Sequence, residues 1–210
     1  MARRTTGSYA AGRARRERIL DAATENFARQ GYHRTSMARI AQDVGLTGPG
    51  LAHHFASKSH LLLAIAERRL DMTGHWAEEA LAPDDGTGPL RGLLELTRRL
   101  AEQPGLIELF VLVSAESADP ASPAHELYAR RYATVVEQLG AAFERDVAAG
   151  LLRRDLDCAG LARECVAVSD GLQLQWVIAG GALDLVGCMR AYLERLAPGI
   201  LASGAAVQLD

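Results

Sequence analysis

The chain has 210 residues, 49% hydrophobic and 23% charged, a composition that suits a globular protein and excludes a disordered one. No apolar run reaches the length of a membrane span, and Met1–Arg18 is basic without a hydrophobic centre, so it does not read as a secretory signal. The net charge of −3 conceals an asymmetry: residues 1–60 hold nine Arg and one Lys against four acids, a net +6, which leaves −9 on the remainder. A basic first quarter on an acidic body suits a module that meets a polyanion.

In chain order, Met1–Gly12 reads as a loose arm whose Arg3 and Arg4 can reach phosphates. Arg13–Gln30 is the first full helix, with Ile19, Leu20, Ala23 and Phe27 on one face and Gly31 as its stop. Arg15, Arg16 and Arg18 would sit near its start, where the macrodipole disfavours cations and an external anion would relieve the cost.

Thr35 is the expected N-cap of a short helix with Met37, Ile40, Ala41 and Val44 on its apolar stripe, and Gly45 ends it. Thr47 caps a second helix with Pro49 in its first turn; Leu51 and Phe55 point back, and Ser57 caps the next. Two helices on a four-residue Gly-containing joint form a helix-turn-helix, whose second helix can enter the major groove. An ordinary helical hairpin is the bland alternative for this stretch; a merely solvated basic helix would explain the arginines alone but not their coincidence with the helix-turn-helix.

Lys58–Ala80 is one longer helix, a connector into the body. Pro83–Pro89 is a loop, and Leu90–Ala101 and Leu106–Ser117 are helices broken at Pro104-Gly105. Ala124–Ala149 carries Tyr132, Val135, Val136, Leu139 and Phe143 on a broad apolar face. Asp157 caps a helix running to about Ile178, with Leu161, Cys165, Val168, Leu172 and Trp176 in one stripe. A final helix, Leu183–Leu196, meets a stop at Pro198-Gly199. The fold class is all-α: a three-helix helix-turn-helix domain over residues 1–56, its arm included, and a helical body over 57–210.

Thr47 and His53 are the candidates for base edges, with the Gly48–Pro49–Gly50 backbone approaching the groove; Arg34, Thr35, Ser36, His54 and Lys58 are placed for phosphates. Adjacent histidines on a helix point about 100° apart and no zincin spacing occurs, so no metal is expected from His53, His54, His60 and His75. Cys158, Cys165 and Cys188 read as core thiols in a reducing cytoplasm. No nucleophile elbow, phosphate loop or carboxylate pair supports an enzyme, and no cofactor is expected. In the body, Met72, His75, Trp76, Glu108 and Phe110 are candidates to line a ligand cavity, with Glu116, Tyr128, Tyr132 and Gln173 as further polar or aromatic groups on apolar helices.

The stretch GYHRTSMARIAQDVGLTGPGLAHHFASKSHLL closely resembles the N-terminal domain of the TetR/AcrR family of transcriptional regulators, through Gly31-Tyr32, Thr35-Ser36, Ile40-Ala41, Val44-Gly45, Leu51, His53, Phe55 and Ser57-Lys58. Gly105–Phe110 and Asp170–Trp176 resemble the C-terminal half of actinobacterial-type members, and one lysine beside 22 arginines fits a high-GC coding sequence. The resemblance implies a cytoplasmic homodimer on a palindromic operator in double-stranded DNA, most often a repressor released by a small-molecule effector. Its dimer seam would be a four-helix bundle of the last long helices, here Tyr132, Val136, Leu139 and Phe143 with Leu161, Cys165, Val168, Leu172 and Trp176. The family often has a lysine where Gly48 stands and tyrosines where Ala52 and His54 stand, so fewer contacts are expected from the reading helix, with N-terminal arginines compensating. The competing readings are an architectural DNA-binding protein without an inducer, and a helical enzyme or carrier with a vestigial N-terminal module.

Overall fold

A computed structural model describes residues 5–80 and 85–209, with side chains for 11–27, 29–69 and 85–209. Its helices are α1 (Thr5–Gln30), α2 (Met37–Asp43), α3 (Gly48–His54), α4 (Lys58–Ala80), α5 (Gly88–Ala101), α6 (Pro104–Ser117), α7 (His125–Ala148), α8 (Cys158–Ile178) and α9 (Leu185–Ile200). Among the described residues the only β pairing is an isolated antiparallel bridge between Leu152 and Leu201.

Local chemistry sets most of the helix ends. Ser36, Thr47, Asp157 and Asp184 each accept a backbone N–H from three residues on, capping α2, α3, α8 and α9. Gly45 (φ 69°) turns the chain after α2 in the left-handed region that other residues avoid.

Two ends differ from expectation. α1 begins at Thr5, so residues 5–12 are helix instead of arm, and Arg3 and Arg4 lie outside the described residues. Ala10, Ala11 and Ala14 are strong helix formers that let the helix continue upstream. Arg15, Arg16 and Arg18 are therefore two or more turns inside α1, too far from its end for the macrodipole to burden them. α9 runs through Pro198 to Ile200. A proline in the last turn removes one backbone bond, and burial of Ala197, Ile200 and Leu201 favours keeping the turn wound.

The larger of the two main cores on the N-terminal side joins Ile19, Leu20, Phe27, Ile40, Leu51 and Phe55 to Leu61 and Ile65 of α4, then to Phe110, Val113 and Tyr128 of the body. The head is thus seated on apolar surface shared with α6 and α7. A second core packs Leu90 and Leu94 of α5, Phe143 of α7, Cys165 of α8 and Leu193 of α9, and Leu209 of the C-terminal tail closes it. Leu209 is fixed there by its N–H, donated to Glu194 Oε1 at 2.9 Å.

Candidate functional site

The helix-turn-helix is held by groups that do not themselves face outward. Thr35, expected as the cap and as a phosphate contact, is buried, and its hydroxyl donates to the Gly31 and Asn26 carbonyls at 3.0 and 3.2 Å. Its N–H is directed to the Tyr32 and Gly31 carbonyls. With both donors turned inward it ties α2 to the end of α1, and Ser36 is the residue that caps α2, through Arg39 N–H. Asn26 completes the joint by donating to Asp43 at 2.8 Å.

The outward face of α3 presents Thr47, Gly48, Pro49, Ala52 and His53, all exposed, with Gly50 half-buried where its N–H meets Thr47 Oγ1 at 3.2 Å. His54 packs partly inward. Burial first, then the charges of His53, Arg15 and Arg16, hold its imidazole below the usual value. That coupling places the α1 arginines beside α3, and the Arg16 guanidinium lies 5.0 Å from the centre of the Phe55 ring. Arg15 and Arg16 thereby join the basic face, a role the sequence reading had attached to the start of α1. Arg34 is exposed, with its Nε donated to the Gln30 carbonyl at 2.7 Å and the rest of its fork open to solvent.

Lys58 is more committed than expected. Its ammonium donates to the Thr35 carbonyl at 2.8 Å and lies 4.2 Å from the Tyr32 ring centre, so it clamps the α1–α2 joint from the start of α4. About three turns on, Arg68 reaches back from α4 to Asp21 at 2.7 Å and to Glu17 and Thr24 at 3.4 Å. Ten residues of helix between the two ties span about 15 Å. The connector is thereby fastened to the head at two separated points.

In the body, Arg69 follows Leu61 and Ile65 at spacings of four, an inward position that a stripe reading reserves for apolar residues. It is 2% exposed, donates to Gln173 Oε1 at 3.0 Å, and lies 4.5 Å from the centre of the Phe110 ring. Arg131 approaches the same ring at 4.9 Å. Tyr128 stacks on Phe110 at 6.0 Å, Tyr132 donates its hydroxyl to Asp170 at 2.7 Å, and Ser114 faces both tyrosines. Burial raises the Asp170 carboxyl and lowers the Arg69 guanidinium to about 10.

Phe110, Tyr128, Tyr132 and Gln173 thus lie together around Arg69, Arg131 and Asp170, which the sequence reading passed over. Glu108 lies elsewhere, in a 200 Å³ pocket at the head–body seam with Phe27, Tyr32 and Leu112. Glu116 is exposed at the end of α6; the Tyr32 phenol is raised first by burial and then by the Glu116 charge. Neither belongs to the buried cluster, and the side chains of Met72, His75 and Trp76 lie outside the described residues.

The expected dimer seam is largely interior to one protomer. Leu139, Phe143, Leu161, Cys165 and Val136 belong to the second core, and Tyr132 is bonded to Asp170. Leu172 and Trp176 pack against Leu100, Ile107 and Leu185, while Val168 is half-buried. α8 is apolar on more than one side; besides the exposed Arg163, Glu164 and Gln175, its outward face carries the apolar Ala167, Leu174 and Ile178, the last two 46% and 76% exposed.

A cationic helix-turn-helix fastened to a helical body with a buried polar core is the architecture of a DNA-binding transcriptional regulator. The chain belongs to the TetR family: residues 19–65 match bacterial regulatory proteins of the tetR family, and residues 90–198 match the C-terminal part of the BetI-type transcriptional repressors. The transcriptional regulator TtgR of Pseudomonas putida is 26% identical over 194 residues, 85% of this chain and 88% of that protein. The transcriptional activator FasR of Mycolicibacterium smegmatis is 38% identical over 82 residues, 39% of this chain; the match spans 37% of its length. A putative regulator from Saccharomonospora viridis, solved in complex with choline, superposes with a TM-score of 0.68 at 26% identity, covering 89% of this chain and 97% of that one. No helix among the described residues is long and apolar enough to cross a membrane.

Proposed function

We propose that the protein is a homodimeric repressor, working in the cytoplasm, that binds a palindromic operator through two copies of α3 and is released when a small molecule enters the body. Thr47 and His53 read base edges, the Gly48–Pro49–Gly50 backbone approaches the groove, and Arg15, Arg16, Arg34, Ser36, His54 and Lys58 supply contacts or charge along the phosphates. The supporting observation is the position of consecutive arginines on α4: Arg68 is bonded to α1 of the head, and Arg69 to Gln173 of α8 in the body. A ligand that displaces Arg69 moves the element that orients the head, and it shifts DNA binding by as much as its affinity differs between the two head positions. That the Saccharomonospora regulator was solved in complex with choline supports a small-molecule effector for this chain.

The seam of the homodimer is assigned to Ala167, Leu174 and Ile178 of α8, apolar residues that a protomer alone leaves in water. Selection of binding sites from random duplexes tests the reading, followed by titration of the selected duplex with and without candidate small molecules. A palindromic site bound by two protomers is the expected result. Binding without sequence preference would instead mark an architectural protein.

A further inference from the structure

The body packs a buried guanidinium, Arg69, and a half-buried one, Arg131, against one aromatic ring with a single carboxylate, Asp170, close by. Arg69 Nε and Nη1 and Arg131 Nη1 are shielded from solvent and have no hydrogen-bond partner. Among the described residues neither arginine forms an ion pair with a carboxylate; the nearby Asp170 accepts from Tyr132 instead. Even with Asp170 ionised, the cluster of Arg69, Arg131 and Asp170 keeps one surplus positive charge. An uncompensated buried cation costs several kcal/mol in general, and folds keep such groups where they have a use.

We infer that this core is an anion-recognition site: the effector carries a carboxylate, or a comparable monoanionic group, that accepts from Arg69 and Arg131 beside the Phe110 ring. The assignment rests on the proposed effector-controlled function and names the chemistry of its ligand. Arg69 Nε and Nη1 flank the Nη2 that Gln173 takes, and Arg131 Nη1 is a third unpartnered donor, so a carboxylate can accept one charge-assisted bond from each arginine. One surplus charge balances a monoanion, and the Phe110–Tyr128 stack offers the remainder of the molecule an apolar or aromatic wall. A cleft of about 610 Å³ lined by Ile65, Arg68, Arg69 and Leu106, and also by Asp21 and Glu25, reaches the same arginine; Arg68 is bonded to Asp21 there, and the volume is within the range that holds a small ligand. A quaternary ammonium placed here would meet the surplus charge with its own sign.

The test uses the full-length protein and charge-matched probes: benzoate and octanoate, their neutral amides, and choline. Thermal unfolding is followed across a titration of each. At least one carboxylate is expected to raise Tm with concentration while its amide and choline do not, and Arg69→Met or Arg131→Met should weaken that carboxylate at least about tenfold. Equal shifts from amide and carboxylate, or a shift from choline alone, overturn the anion site. Carboxylate binding that leaves operator affinity unchanged would instead defeat the effector reading and preserve the site.

Discussion

The Arg68 guanidinium lies 2.7 Å from the Asp21 carboxylate, joining the connector helix to the first helix of the head across 47 residues of sequence. Both side chains are partly open to water, 28% and 64% exposed, so the pair contributes at most about 1 kcal/mol to folding. Its consequence is positional. Arg68→Met should leave Tm within a few degrees of the parent yet weaken operator binding several-fold, because α1 loses one of its two ties to α4. Fluorescence anisotropy on the selected duplex measures this, and unchanged affinity would show that the Lys58 clamp alone orients the head.

Thr35 separates a structural role from a contact role. Replacing it with valine keeps its volume and removes the hydroxyl that the Gly31 and Asn26 carbonyls share, a loss of about 1–2 kcal/mol. The expected pair of results is a lower Tm and an unchanged slope of log affinity against log salt. Lys58→Ala should also destabilise, through the lost bond to the Thr35 carbonyl, and flatten that slope by about one unit if its remaining N–H reaches a phosphate. A flatter slope in Thr35→Val would restore Thr35 to the phosphate contacts.

If His54 stands beside a phosphate in the operator complex, as proposed, DNA binding is expected to depend on pH. In the free protein its imidazole titrates below the usual value, held there by burial and by His53, Arg15 and Arg16. A phosphate brought beside it favours the imidazolium, so its value rises in the complex. The stabilisation is then fully present below the free-state value and is lost as pH rises through the bound-state value. Operator affinity should therefore increase as pH falls from 8 to 6, and His54→Gln should remove part of that dependence. Equal pH profiles for variant and parent would take His54 away from the phosphates.

What was legible in the sequence is what depends on neighbours along the chain. Gly45, Thr47, Ser57 and Asp157 shape their turns through atoms three or four residues away, and each does what its type suggested. The cap passed from Thr35 to Ser36 because the cap position depends on which hydroxyl the α1 carbonyls claim, a contact across the joint. Arg69 was hidden because a charged residue on an inward stripe reads as a solvated break, although its spacing from Leu61 and Ile65 was the available signal. The outward face of α8 was hidden for the opposite reason: a helix apolar around most of its circumference does not say which stripe the protomer itself will cover.

That ambiguity on α8 has an experimental resolution in two substitutions. Ile178 is 76% exposed, so Ile178→Asp places its charge in water within a lone protomer and should leave the fold's Tm little changed. In a dimer sealed by this face, the same charge is buried without a partner and should cost about 3 kcal/mol or more per protomer, enough to shift sedimentation from dimer to monomer at micromolar concentration. Trp176 packs instead against Leu100, Ile107 and Leu185. Trp176→Asp should therefore lower Tm sharply by opening that small core, whatever the oligomeric state. If Ile178→Asp remains a dimer of unaltered affinity, the seam lies elsewhere on the body, and the exposed stripe of Ala167, Leu174 and Ile178 needs another partner.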